Sequence, residues 1–269
     1  MIPFIKAHAY GIDFLYVEER AMVGIDRAQL AHEMCDRHTG VGADGLIIYG
    51  GTHDAATMSL FNADGGRAEV SGNGLRGLAA LLLRNVDQVR STAVVRTEAG
   101  VKRLTRTERS QLRHTFRAEM GDPAHIRQAS IMAGGERLDV VTLNMGNPQC
   151  VVLGPLPDEE RFRRLGPAIE HHTVFPEGTN VEFAHVEEPK QVRIMIWERG
   201  CGPTFSSGTG SCAALVAAAS YGGAARVAQV IAPGGAQLVE WLEDGVYLTG
   251  WAEIVCDGGW LRQPPVSNA

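Results

Sequence analysis

Apolar and polar residues alternate over short stretches at 14–17, 45–49, 57–61 and 93–96, and again at 138–143, 149–153, 181–185, 192–197, 237–241 and 246–249. A period of two belongs to a strand with one buried face, so each stretch predicts a strand. Apolar residues three and four apart predict helices over 27–35, 75–85, 159–170 and 210–221. The runs from Leu78 to Leu83 and from Ala213 to Ala219 are apolar on nearly every side. A helix with no polar face has to be enclosed. Each half of the chain therefore offers several strands and one helix that must be surrounded. This predicts an α/β (α+β) fold of two pseudo-symmetric domains, each a curled β-sheet wrapped round a central helix. The break at Gly121-Asp122-Pro123 divides them into 1–121 and 122–262, with a Pro-containing tail at 263–269 that is expected to be frayed or loosely docked.

Both enclosed helices open on one pattern, Ser71-Gly72-Asn73-Gly74 in the first half and Ser207-Gly208-Thr209-Gly210 in the second. A Gly-punctuated turn before an apolar helix presents backbone N–H groups at the helix start. Exposed donors and the helix dipole together attract an anion. Two such starts, one per half, are expected to aim at one anionic substrate from opposite sides of a cleft between the domains.

Composition narrows the classes. The 269 residues, 45% of them hydrophobic, carry a net charge of −6, and the mean hydropathy is −0.06. These values fit a globular chain with a sizeable core. The one basic stretch, from Lys102 to Arg117, holds Arg103, Arg106, Arg109, Arg113 and Arg117 with Phe116 as its single aromatic, and reads as a solvated face. No nucleic-acid partner is expected. No apolar run approaches the ~20 residues of a membrane span, and Met1 to Lys6 lacks the layout of a signal peptide, so no membrane partner and a cytoplasmic location are expected. Five cysteines without a CxxC pairing fit reduced thiols, and Cys212 reads as core. His32 to His38 holds metal-ligand types without HExxH order, so no metal site is assigned. Neither glycine turn ends as a P-loop does, and Ser207 does not stand in a GxSxG elbow. Oligomeric state is not legible in the chain; a homodimer is one option.

Polar residues stand where strand-like runs end. Asn62, Asn147 and Asn180 carry amides that both donate and accept, as an amino acid's carboxylate and ammonium require. Arg199 can clasp a carboxylate with two parallel hydrogen bonds, and Glu198 can hold an ammonium. Taken singly, an Asn beside a Gly is a turn residue.

Taken in order, the segments Asp36-Arg37-His38-Thr39-Gly40-Val41-Gly42-Ala43-Asp44-Gly45, Phe61-Asn62-Ala63-Asp64-Gly65, Ser71-Gly72-Asn73-Gly74-Leu75-Arg76, Met145-Gly146-Asn147-Pro148, Asn180-Val181-Glu182-Phe183, Glu198-Arg199-Gly200 and Ser207-Gly208-Thr209-Gly210 make the chain resemble the diaminopimelate epimerase family along nearly its full length. The resemblance implies inversion of LL-2,6-diaminopimelate to the meso form in lysine biosynthesis, without pyridoxal phosphate, metal or other cofactor. It implies that Asn62, Asn147, Asn180, Glu198 and Arg199 grip the distal amino-acid group of the substrate. It implies that Gly72-Asn73 and Gly208-Thr209 cradle the reacting carboxylate, and that the first residue of each turn handles the α-proton.

In the family those two proton-handling residues are cysteines; here they are Ser71 and Ser207. A hydroxyl is a far weaker acid than a thiol of pKa near 8.5, and each pKa unit is worth about 1.4 kcal/mol. Two further differences fall at Ile12, where the family has Asn, and at Gln149, where it has His. Three other readings stay open: a proton-shift isomerase or dehydratase of the same fold with Asp44, Asp64 or Glu198 as base; a non-catalytic amino-acid binder; or an engineered Cys-to-Ser variant.

Overall fold

The structure is a computed structural model and describes residues 1–68 and 70–261. The tail at 263–269 lies outside the described residues. The chain forms two units, Met1–Thr115 with Trp251–Ala269, and Phe116–Gly250. The division does not fall at Gly121. A strand over Arg113–Gly121 and the last strand, Gly245–Trp260, each run from one unit into the other, so no break in the sequence marks the boundary.

The first unit contains β1 (Ile2–Ala9), β2 (Ile12–Glu18), α1 (Arg27–Cys35), β3 (Gly45–Thr52), β4 (Ala55–Asn62), the short β5 (Arg67–Ala68), α2 (Gly72–Leu82), β6 (Thr92–Thr97), β7 (Gly100–Arg109) and the start of β8 (Arg113–Gly121). The end of the last strand pairs antiparallel with β1, and β1 pairs antiparallel with β2. The ladder then continues parallel to β3, antiparallel to β4, parallel to β6 and antiparallel to β7. A tight turn closed by Ser110 N–H on Arg113 O, 2.8 Å, leads into β8, and Ile254 N–H donates to Leu112 O at 3.0 Å, tying the last strand to that turn. The result is an eight-strand barrel. Helix α2 packs on β1, β2 and β6, and every residue from Asn73 to Leu81 is buried. A second layer of core, built from Leu30, Ala31 and Met34 of α1, packs on Leu46, Ile48 and Phe61.

The second unit contains the rest of β8, β9 (Ala124–Ala133), β10 (Glu136–Asn144), β11 (Pro148–Leu153), α3 (Glu159–Glu170), β12 (Asn180–Glu188), β13 (Gln191–Glu198), the short β14 (Gly202–Thr204), α4 (Gly208–Ala217), β15 (Val227–Ala232), β16 (Gly235–Leu242) and the start of β17 (Gly245–Trp260). Its ladder runs antiparallel from β9 to β10 to β11, parallel to β12, antiparallel to β13, parallel to β15 and antiparallel to β16 and β17. That is the order of the first unit repeated, with α3 in the place of α1 and α4 in the place of α2. The core around α4 joins Cys212, Leu215 and Val216 to Val151, Ile194, Ile196, Val230, Val239 and Leu248.

All ten strands and four helices expected from periodicity are present, with α1 and α3 at the expected bounds. Helices α2 and α4 begin earlier, at the Gly of each Ser-Gly-x-Gly turn, because the serine side chain caps them. Strands β1, β7, β8, β9 and β15 lacked a clear apolar alternation. The basic stretch forms β7 and β8, and its reading as a solvated face fails at Arg106, which is fully buried. The Arg106 guanidinium donates to the carbonyl oxygens of Leu83 (2.7 Å), Val86 (2.6 Å), Gln88 (2.6 Å) and Val89 (3.0 Å). It thereby satisfies carbonyls at and beyond the C-terminus of α2, where the dipole favours a cation.

The loop at 36–45 is an electrostatic brace. Arg37 Nη2 lies 2.8 Å from both Asp13 Oδ1 and Asp44 Oδ1, and Lys6 Nζ lies 2.9 Å from Asp13 Oδ2. Burial alone would raise the Asp13 pKa, but hydrogen bonds from Arg37 and Lys6 hold it down at about 2.

Two outcomes follow for stability. Gly77 packs directly against the hydroxyl and ring of Tyr16, where a Cβ has no room. Gly77→Ala is expected to destabilise the protein by about 1–3 kcal/mol in urea unfolding; wild-type stability would contradict this packing. A carboxylate held below its ordinary 3.8 contributes stability above that pH and loses it as pH falls toward about 2. Asp13→Asn should therefore flatten the acid limb of the stability curve over that window, and an unchanged acid limb would contradict the brace.

Candidate functional site

The starts of α2 and α4 are built alike. Ser71 has extended backbone (φ −124°, ψ 125°), and its Oγ accepts the N–H of Gly74 at 3.2 Å. Ser207 has φ −134° and ψ 129°, and its Oγ accepts the N–H of Gly210 at 3.1 Å. Both serines are thus N-caps, a role worth ~1 kcal/mol each. The cap takes the third N–H of each helix. The first two belong to Gly72 and Asn73 in α2, and to Gly208 and Thr209 in α4. The N–H groups of Gly208 and Thr209 have no protein acceptor among the described residues. Donors left this way at the start of a buried helix constitute an anion site.

The last glycine of each turn is there for space, not for turning. A Cβ on Gly74 would stand 2.6 Å from Ile47 Cδ1, and one on Gly210 would stand 2.6 Å from Glu182 Oε1 and 3.1 Å from Ser207 Oγ. Strand side chains press on the helix start closely enough to exclude any side chain there.

Arg76, quoted above only as part of a motif, sits within the first turn of α2 and is 1% exposed. Its Nη2 donates to Asn73 Oδ1 at 2.8 Å and its Nε to Gly72 O at 3.3 Å, and its guanidinium lies 5.3 Å from the Tyr10 ring centre.

The candidate grip residues fall into two sets. In the first unit, Asn62 ends β4, half-buried, and its side-chain amide has no hydrogen-bond partner among the described residues. In the second unit, Asn147, Asn180, Glu198 and Arg199 gather at the ends of β11, β12 and β13. Asn180 holds this corner together, donating from Nδ2 to Pro148 O at 3.0 Å and accepting Arg199 N–H on Oδ1 at 3.0 Å. Glu170, which periodicity did not single out, completes the brace. This buried carboxylate accepts Trp197 Nε1–H at 2.7 Å and Gly200 N–H at 2.8 Å. Glu198 is thereby presented on a fixed turn, and burial raises its carboxyl pKa against a hydrogen bond from Thr204. Arg199 is exposed and donates to Glu177 O at 3.2 Å.

Of the alternative bases, Asp64 accepts Gly66 N–H at 2.7 Å within a turn, and Asp44 is bound to Arg37. Glu182 was not among them. It lies fully buried on β12, and burial first and then the charge of Glu198 push its pKa well above the ordinary carboxylate range. Its signal in the sequence was a carboxylate in the middle of the apolar strand Val181-Glu182-Phe183. Gln149, also buried, lies between Glu182 and Asn147. With its Nε2 turned toward Glu182 it donates to Oε1 at 3.0 Å and Oε2 at 3.3 Å; with its Nε2 turned the other way it donates to Asn147 Oδ1 at 2.6 Å. The second sense sets an amide oxygen against Glu182 and requires that carboxyl to be protonated.

Comparison with known proteins gives the family and the fold. The family model described as diaminopimelate epimerase matches residues 4–126 and 141–255. A diaminopimelate epimerase of Desulforudis audaxviator (strain MP104C) is 40% identical over 283 residues, covering 97% of this chain and 100% of the relative. One from Desulfitobacterium hafniense (strain DSM 10664 / DCB-2) is 37% identical over 275 residues, covering 96% and 97%. Among solved structures, a probable proline racemase from Agrobacterium radiobacter K84 superposes with a TM-score of 0.72 at 16% identity, covering 99% of this chain and 95% of that one, and shares the fold. With the family model matching most of its length and relatives of this identity over nearly the whole chain, the protein belongs to the diaminopimelate epimerase family.

Proposed function

We propose that the protein is a cofactor-independent isomerase that inverts one α-carbon of LL-2,6-diaminopimelate to give the meso form, in lysine biosynthesis. The observation that supports this most is the pair of buried helix starts, each capped by the serine that stands where the family has its proton-handling cysteine. The relatives' shared name supplies the substrate. The five free thiols suit a reducing cytoplasm.

The chemistry follows from the parts. Removing an α-proton leaves charge that spreads onto the adjacent carboxylate. Backbone N–H groups of Gly72, Asn73, Gly208 and Thr209 would stabilise that charge as it develops, because they are fixed before the reaction begins. The contribution is ~0.3–2 kcal/mol per helix end from the dipole, a modest share of an enzymatic barrier reduction. Ser71 and Ser207 would handle the proton on the two faces of the carbon. Asn62, Asn147, Asn180, Glu198 and Arg199 would hold the distal ammonium and carboxylate and set which carbon is presented. No nucleic acid or membrane enters this reading, and assembly into a homodimer is not required by it.

Incubation with LL-diaminopimelate in D2O, followed by NMR, tests the proposal. Loss of the α-proton signal with appearance of the meso isomer is the expected result, at a slow rate. Replacing both serines, Ser71→Cys with Ser207→Cys, should raise the rate by about two orders of magnitude or more, since each pKa unit recovered is worth about tenfold. Saturable binding without exchange, in the wild type and in the double variant, would overturn the activity and leave a binding protein.

A further inference from the structure

The repeated ladder lets each unit serve as the control for the other. In the first, Phe14 pairs with Gly45 and Leu46 with Phe61. In the second, Gln149 pairs with Asn180 and Val181 with Trp197. By this register Ile47 corresponds to Glu182, and Phe14 to Gln149. Ile47 and Glu182 are both fully buried, and each meets the last glycine of its Ser-Gly-x-Gly turn at the same 2.6 Å from the Cβ position. The fold therefore needs a side chain of this reach beneath the helix start. It does not need a carboxyl group, because the first unit fills the place with hydrocarbon. Burying a carboxyl where an isoleucine suffices is costly, and no cation pairs with Glu182 among the described residues.

Resting on the reading of Ser207 as a proton-handling group, we propose that Glu182 is its positioning partner, taking the hydroxyl proton of Ser207 as Ser207 takes the α-proton of the substrate. The Cα–H bond breaks and a new O–H bond forms on Ser207. The original Ser207 O–H bond breaks and an O–H bond forms on Glu182. The electron pair stays on the α-carbon and spreads into its carboxylate. No free alkoxide forms on Ser207; inversion is completed when Ser71 gives its O–H proton to the opposite face of the α-carbon, and the proton gained by Glu182 and the one lost by Ser71 are exchanged with solvent before the next turnover. Ser207 Oγ accepts the Gly210 N–H and so keeps its own proton to give; the Cβ position of Gly210 lies 3.1 Å from Ser207 Oγ and 2.6 Å from Glu182 Oε1, and no hydrogen bond joins the two groups in the resting structure, so the Ser207 hydroxyl has to close on the carboxyl when substrate binds. Gln149 lies against the carboxyl and can donate to it from Nε2, at 3.0 Å to Oε1 and 3.3 Å to Oε2. The titratable groups near Glu182 are Glu198 on β13 and the Cys150 thiol on β11, and neither supplies positive charge. Burial makes the Glu182 carboxylate a stronger base than an exposed one. Beneath Ser71 the corresponding places hold Ile47 and Phe14, so among the described residues the relay is found in the second unit.

The test compares wild type, Glu182→Gln, Glu182→Asp and Glu182→Ile. Exchange of the α-proton into D2O is measured separately from the LL and the meso isomer, across about two pH units on either side of neutrality. Glu182→Gln keeps the shape and is expected to lower kcat about 100-fold with KM nearly unchanged, a typical worth for acid–base assistance. The loss should fall more heavily on the isomer whose α-proton faces Ser207. Glu182→Asp should recover part of the rate, and Glu182→Ile should be folded and as slow as Glu182→Gln. Wild-type rate and pH profile in Glu182→Gln would overturn the role of Glu182 while leaving the site as read. An equal loss for both isomers with a fall in melting temperature would also overturn it, as a structural effect. Absence of exchange in the wild type, or exchange indifferent to Ser207→Ala, would overturn the reading of the site and the relay with it.

Discussion

A helix enclosed by a barrel cannot turn its first N–H groups to water. That constraint shapes both units of this protein. One donor of each start is satisfied by a serine hydroxyl, Ser71 Oγ on Gly74 and Ser207 Oγ on Gly210. The donors ahead of it at α4, the N–H groups of Gly208 and Thr209, have no protein acceptor among the described residues and suit an anion. The apolar helix, the capping serine and the glycine that lets a strand press close are parts of one solution. Its by-product is a preorganised patch of positive potential, which is what a reaction through a carboxylate-stabilised carbanion requires.

The two units keep this device and differ in what surrounds it. The first sets Arg76 in the opening turn of α2 and hydrocarbon beneath, from Phe14 and Ile47. The second sets a polar chain beneath α4, from Asn147 through Gln149 to Glu182. A shared ladder with different side chains at matching positions separates what the barrel demands from what it merely tolerates. Ser71 and Ser207 look equivalent by sequence and by capping geometry, yet their neighbours differ. Arg76 lies in the helix turn beside one, and a carboxyl with no cation among the described residues lies beside the other.

Periodicity made the frame legible. Helices α1 and α3 carry a clean 3.6-residue repeat, and the ten expected strands alternate well enough to be placed. The strands left unplaced have mixed faces. In β7 the inward positions include Arg106, whose charge is compensated by carbonyls that come together only in the fold. The same limit applied at the site. Asn180 and Arg199 could be named from their motif, but not that the Asn180 amide ties β11 to the turn after β13. Glu170 stood out in no pattern, because a carboxylate near a helix end is ordinary until Trp197 Nε1 and Gly200 N are seen to close on it. Glu182 was readable as an odd charge in an apolar strand; its meaning needed Ile47 at the matching position of the other unit.

The proposed reaction requires the helix starts at Ser71 and Ser207 to receive the substrate's reacting carboxylate. A crystal structure of the protein with LL-diaminopimelate or its meso isomer bound tests it most directly. The account predicts the α-carboxylate within hydrogen-bond reach of the backbone N–H groups at Gly72-Asn73 and Gly208-Thr209, with Ser71 and Ser207 on opposite faces of the α-carbon. A ligand bound with that carboxylate away from both helix starts would contradict it.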